Sequence, residues 1–143
     1  MEVRLRGHHL LCVLGFRGKG YSAAFVENMA RVVGHIRLEK DTPVRVLLKP
    51  DDICHPCPFR LDDRCRRKPD AEERVQVHDA DVMARLGVLG GAMLPWSEIE
   101  ARIAKHIAPE DLHQICRTCS WLSLGYCTEG VSELKSGKRS ARA

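Results

Sequence analysis

The stretch CHPCPFRLDDRC, residues 54–65, and its echo CRTCSWLSLGYC, residues 116–127, organise the whole chain. Both read C-x2-C-x7-C, with Cys54, Cys57 and Cys65 in the first copy and Cys116, Cys119 and Cys127 in the second. Six of the seven cysteines fall into this pattern, and Cys12 alone lies outside it. A CxxC holds two thiolates on one tight turn, close enough to share a metal. Two such pairs with matching third cysteines point to a bound metal or an iron–sulfur cluster. The fold has to close the long separation between the copies, so the helices between them are expected to act as a clamp. The expected architecture is α+β and mostly helical. It is a small single domain with one or two short strands and cysteine-rich metal-binding loops at element ends.

Length and composition agree with a globular domain. A chain of 143 residues is long enough to bury a hydrophobic core. No apolar run approaches the roughly 18–20 residues needed to span a bilayer, which argues against a membrane location. The start, Met1 to Arg6, is charged and lacks an export-type apolar stretch. The expected compartment is cytoplasmic, where disulfides are rare and clustered cysteines bind metal or do redox work. The formal charge of +4 suggests nucleic acid at first sight. However, Lys135, Lys138, Arg139 and Arg142 stand in the last nine residues, and without them the body is neutral. The reading is therefore a cysteine-rich metal- or cluster-binding domain over residues 1–131 and a basic flexible tail over 132–143, with no nucleic-acid partner.

Local patterns place the elements around the cysteines. Val3 to Leu5 reads as a short strand. The apolar segment from His8 to Gly15 reads as a buried helix, on which His8 and Cys12 are four apart and share a face. Gly18 and Gly20 read as loop glycines with positive φ. Their loop has neither P-loop nor dinucleotide-fingerprint spacing. Ser22 can cap a helix running to Leu38, with Phe25, Met29, Val32, Val33 and Ile36 as its core stripe. Gly34 suggests close packing there. Asp41-Thr42-Pro43 ends that helix, and Val44 to Leu48 follows as a strand. Asp79 is expected to cap a short helix through Val82, Met83 and Leu86, with Gly87 as its stop. Ser97 and Glu100 match a capping box. Ile99, Ile103 and Ile107 then form an apolar face, with Glu98 and Arg102 paired on the outside. Pro109 opens a short helix that delivers Cys116. Trp121, Leu122 and Leu124 are expected to wall the site, and little order is expected beyond Cys127.

The cysteine count leaves two chemistries open. Structural zinc takes four Cys or Cys/His donors, which Cys54, Cys57, Cys116 and Cys119 would satisfy, leaving Cys65 and Cys127 over. A cubane iron–sulfur cluster of the 4Fe–4S type also takes four thiolates, and a Cys-Pro step such as Cys57-Pro58 is common at its ligands. Two sites completed by His8, His55 or Cys12 are a further arrangement, and so is one cluster with an open iron. His113, three residues before Cys116, is a candidate donor to a thiolate. Arg60, Arg64, Arg66, Arg67 and Lys68 around Cys65 would stabilise an anionic thiolate site. A different class of reading makes Cys12 a nucleophile activated by His8 or His9. The iron–sulfur reading implies electron transfer or small redox and sulfur chemistry, with a redox protein as partner. The zinc reading implies a structural or adaptor domain without catalysis.

Three segments carry a family resemblance. They are Arg6-Gly7-His8-His9-Leu10-Leu11-Cys12 with the glycine-rich loop to Ser22, Asp51-Asp52-Ile53-Cys54-His55-Pro56-Cys57-Pro58, and Cys116-Arg117-Thr118-Cys119-Ser120-Trp121. Together they resemble the uncharacterised bacterial and archaeal domain-of-unknown-function family numbered 1284, thought to be iron–sulfur binding. The resemblance implies that Cys12 belongs with the other six cysteines. It supplies no activity.

Overall fold

The computed structural model describes residues 2–18, 22–49, 51–54, 57, 60–61, 64–65, 71–116 and 125–136. The chain opens with strand β1 (Val3–Arg6) and the short helix α1 (His9–Gly15), followed by α2 (Ala23–Leu38) and β2 (Pro43–Leu47). Two-residue strands β3 (Arg60–Leu61) and β4 (Arg64–Cys65) come next, then the long helix α3 (Ala71–Leu86). Strand β5 (Met93–Pro95) leads into α4 (Trp96–His106), a 3-10 turn (Pro109–Asp111), α5 (Leu112–Ile115) and α6 (Tyr126–Lys135). The α+β, mostly helical expectation holds.

The sheet has three strands in the order β1-β2-β5. β1 and β2 are parallel, with Val3 opposite Val44 and Leu5 opposite Val46. A parallel pair needs a crossover, which α1 and α2 supply. β5 closes the other edge antiparallel to β2, with Val44 opposite Leu94. β3 and β4 form a separate small hairpin inside the first cysteine triplet, with Cys65 opposite Arg60.

The core follows the sequence pattern most closely in α2. Ser22 accepts a hydrogen bond from the Phe25 amide at 3.1 Å, and Phe25, Met29, Val32, Val33 and Ile36 are all buried. Val44 and Val46 of β2 meet this stripe from the sheet, and Trp96, Ile99, Ile103 and Ile107 add the α4 face. Glu98 and Arg102 pair at 3.2 Å on the outside, as their spacing predicts. No described helix is long and apolar enough to cross a membrane.

Four expectations need correction. Asp79 does not cap a helix. It lies inside α3, which begins eight residues earlier at Ala71. Its buried face, Ala71, Glu72, His78, Asp79, Val82, Met83 and Leu86, keeps helical spacing but is half polar, so hydropathy alone hides it. Ser97 is likewise not a cap. α4 starts at Trp96, and the Ser97 amide donates instead to the Lys40 carbonyl at 2.8 Å. Gly34 serves no close packing, because a Cβ there would meet nothing within 4 Å. Finally, the chain beyond Cys127 is helical through Lys135. α6 is held because Gly130 lets it press on α1: a Cβ on Gly130 would lie 2.4 Å from the Leu14 carbonyl oxygen. The wall expected from Trp121, Leu122 and Leu124 and the last residues of the basic tail lie outside the described residues.

Candidate metal centre

β1 ends at Arg6, and the chain turns at Gly7 so that His8 and His9 open α1. The turn is anchored by the Gly7 amide, which donates to the Leu47 carbonyl at 2.9 Å and so prolongs the sheet. Gly7 also sits under α3, where a Cβ would come within 2.4 Å of the Asp79 carbonyl oxygen. This close approach brings the polar face of α3 against Arg6 and His8.

Arg6 is the centre of the resulting network and is almost wholly buried. Its Nε donates to Asp79 Oδ2 at 2.8 Å. Nη2 and Nη1 fork onto the two Glu72 oxygens at 2.7 and 3.2 Å. Burial alone would lower the guanidinium pKa, but the two carboxylates outweigh it and raise it. Burial would raise Glu72, and the Arg6 fork and the Cys65 amide together hold it below the usual range. The Cys65 amide donates to Glu72 Oε1 at 2.9 Å, so the same carboxylate also fixes the last cysteine of the first triplet.

Each histidine has its own carboxylate. His8 uses both its amide (2.9 Å) and its Nδ1 (2.6 Å) on Asp79 Oδ1. Burial and the neighbouring His9 lower the His8 pKa. Burial raises Asp79, and its bonds to His8 and the charge of Arg6 outweigh that and lower it. His9 Nδ1 lies 2.7 Å from Asp51 Oδ2. Asp51 also accepts from the Arg6 amide at 2.6 Å, and from the Ile53 and Cys54 amides at 3.0 Å each. Burial would raise Asp51, but His9 and these donors hold it at about 2. An aspartate that accepts amides two and three residues on forms an Asx turn, and this one sets the direction in which Cys54 leaves the loop. The Cys57 amide closes the CxxC turn on the Cys54 carbonyl at 2.9 Å.

His9, Asp51 and Cys54 each offer a ligand atom, and these atoms lie within 4.8 Å of one another. The Cys54 thiol pKa is raised by burial and by the Asp51 charge, so it holds its proton until a cation arrives. A metal held there would supply that charge, and Cys54 would bind it as the thiolate. The donors fit a metal: neutral imidazole, carboxylate and a thiol that metal binding converts to thiolate are the three ligand types a zinc or iron site accepts.

A second cysteine of the motif has a histidine partner on the other side. His78 Nε2 lies 3.3 Å from Cys116 Sγ, at the end of α5. The rings of His9, His8 and His78 form a row, with centroids 4.3 Å apart in the first pair and 4.6 Å in the second. This row runs from the first cysteine of one triplet to the first cysteine of the other.

The other expected ligands are distributed around this row. The described cysteines are Cys12, Cys54, Cys57, Cys65, Cys116 and Cys127. Cys12 and Cys127 are buried in the core, Cys127 where α6 meets Gly15 of α1, and Cys57 packs against that core. Among the described residues, Cys12, Cys57, Cys65, Cys116, Cys127 and His8 do not join the group of donors within 4.8 Å of one another. Cys119 and His55 lie outside the described residues, and His113 is exposed. Sequence reasoning missed Glu72 and His78, read Asp79 as a helix cap, read Arg6 and Asp51 only as motif letters, and weighed His9 only as an activator of Cys12. The readable signal was a helical period of polar residues on α3 and an aspartate pair just before a CxxC.

No curated protein and no solved structure matches the chain. The family model described as "Protein of unknown function (DUF1284)" matches residues 20–125, a stretch that holds Asp51, Cys54, Glu72, His78, Asp79 and Cys116. The chain belongs to that family.

Proposed function

We propose that this chain binds an iron–sulfur cluster through its two C-x2-C-x7-C triplets and Cys12, and serves electron transfer or small redox and sulfur chemistry. The observation that carries the metal reading is the meeting of His9, Asp51 and Cys54, with ligand atoms within 4.8 Å of one another, the histidine and the aspartate buried and the cysteine half-buried. The case for iron and sulfide rests on thiol number. Seven cysteines exceed what one zinc ion takes, and iron–sulfur clusters accept histidine beside cysteine. When bound, the cluster supplies a one-electron couple. The chain's own residues hold the thiolates, keep water out and compensate charge through Arg6.

A structural zinc reading is favoured by the mixed nitrogen, oxygen and sulfur donors at Cys54, which suit a divalent ion with few ligands. Purification without oxygen separates the two. Iron and acid-labile sulfide in a brown protein with broad visible absorption support the cluster. A colourless protein with stoichiometric zinc establishes the zinc centre and removes the cluster reading.

A further inference from the structure

We infer that His78 and Cys116 are two ligands of a second metal site. The inference rests on reading the triplet cysteines as metal ligands, in the arrangement with two separate sites rather than one cluster shared by both triplets, and it adds a residue that the cysteine pattern does not contain. His78 and Cys116 are both more than nine-tenths buried, at 6% and 5% exposure. Their donor atoms, Nε2 and Sγ, lie 3.3 Å apart. Metal–nitrogen and metal–sulfur bonds of about 2.0 and 2.3 Å at a tetrahedral angle place N and S about 3.5 Å apart. The pair is therefore already spaced as two ligands of one ion.

The ring of His78 is held for this task. His8 stacks on it at 4.6 Å with an interplanar angle of 21°, and His8 is itself fixed by Asp79 at 2.6 Å. α3 supplies His78 from its buried face, and α5 ends at Cys116, so the two donors come from separate elements. The site is distinct from the one at Cys54, because His78 and Cys116 stand outside the group formed by His9, Asp51 and Cys54. A row of imidazoles thus separates two poles, each pairing one histidine with the first cysteine of a triplet. An imidazole and a thiolate select a borderline to soft divalent cation such as zinc or ferrous iron, and water or further thiolate fills the remaining positions.

The test is anaerobic titration of cobalt(II) alone into the reduced, metal-free full chain, read by thiolate-to-cobalt absorption and bound metal per chain. The wild type takes two equivalents. His78→Ala and Cys116→Ser each take one, and so does His9→Ala, which loses the other site. His78→Cys restores two equivalents with stronger thiolate absorption, and its far-ultraviolet circular dichroism matches the wild type. The inference is overturned if the wild type takes one equivalent. It is also overturned if His78→Ala keeps two, which makes His78 a hydrogen-bond donor to Cys116 and nothing more. Either result leaves the metal reading intact when Cys54→Ala lowers the count. Failure of the wild type to bind any cobalt overturns both.

Discussion

Replacing Arg6 by methionine gives the sharpest test of how the site is held. Methionine keeps much of the side chain's length and packing but removes its charge and three hydrogen bonds. Glu72 and Asp79 would then be two carboxylates at 1% exposure or less without the guanidinium that faces them. Removing one partner of a buried ion pair costs about 3–5 kcal/mol, because the remaining charge stays buried. Against a typical domain stability of about 5–15 kcal/mol, that is a large fraction. In urea denaturation, with a slope of about 2 kcal/mol per molar, the midpoint falls by about 1.5–2.5 M. The loss depends on pH in a defined direction. In the wild type, Glu72 and Asp79 have lowered pKa values, so their contribution is present above the ordinary carboxylate range and fades as pH falls through the lowered values. Without Arg6 the burial effect acts with less opposition, these carboxyls take up protons more readily, and the variant's deficit shrinks on acidification. A midpoint shift below about 0.5 M at neutral pH, equivalent to about 1 kcal/mol at that slope, would refute the idea that Arg6 ties the site together.

Three further outcomes follow from named contacts. Gly34→Ala raises stability by up to about 1 kcal/mol, because the helix gains propensity and the new methyl meets open space; an unchanged or lower thermal midpoint contradicts this. Gly130→Ala does the reverse, since its Cβ would press on the Leu14 carbonyl, and a loss of about 1–3 kcal/mol is expected in the same measurement. Asp51 stabilises the fold fully above its unfolded pKa of 3.8, and that contribution disappears as pH falls toward about 2. Asp51→Asn should therefore be less stable than wild type at neutral pH and should flatten this acid limb of the stability profile; an unchanged limb would show that Asp51 is not held by His9 and the amides.

Much of the scaffold was legible because burial and hydropathy coincide there. The α2 stripe, its Ser22 cap and the α4 isoleucine face all follow from apolar residues at helical spacing. α3 was half hidden for the opposite reason. Glu72, His78 and Asp79 occupy its buried face, and their burial is compensated by Arg6, His8 and Cys116, which lie 38 to 73 residues away in sequence. Nothing local marks such pairings. β5 was missed because a three-residue strand carries almost no periodicity. α6 was missed because what holds it, the close approach of Gly130 to Leu14 of α1, joins residues far apart in sequence. The cysteines showed where donors lie along the chain. The carboxylates that aim His8, His9 and Cys54 became visible only in three dimensions.

The proposed metal lies where His9, Asp51 and Cys54 meet. Its most direct test is bound metal per chain, measured by elemental analysis, in anaerobically purified wild type and in Cys54→Ala. Stoichiometric metal is expected in the wild type and a clear loss in the variant, accompanied by lower stability because metal binding and folding are coupled. Equal metal content in the two proteins would contradict it.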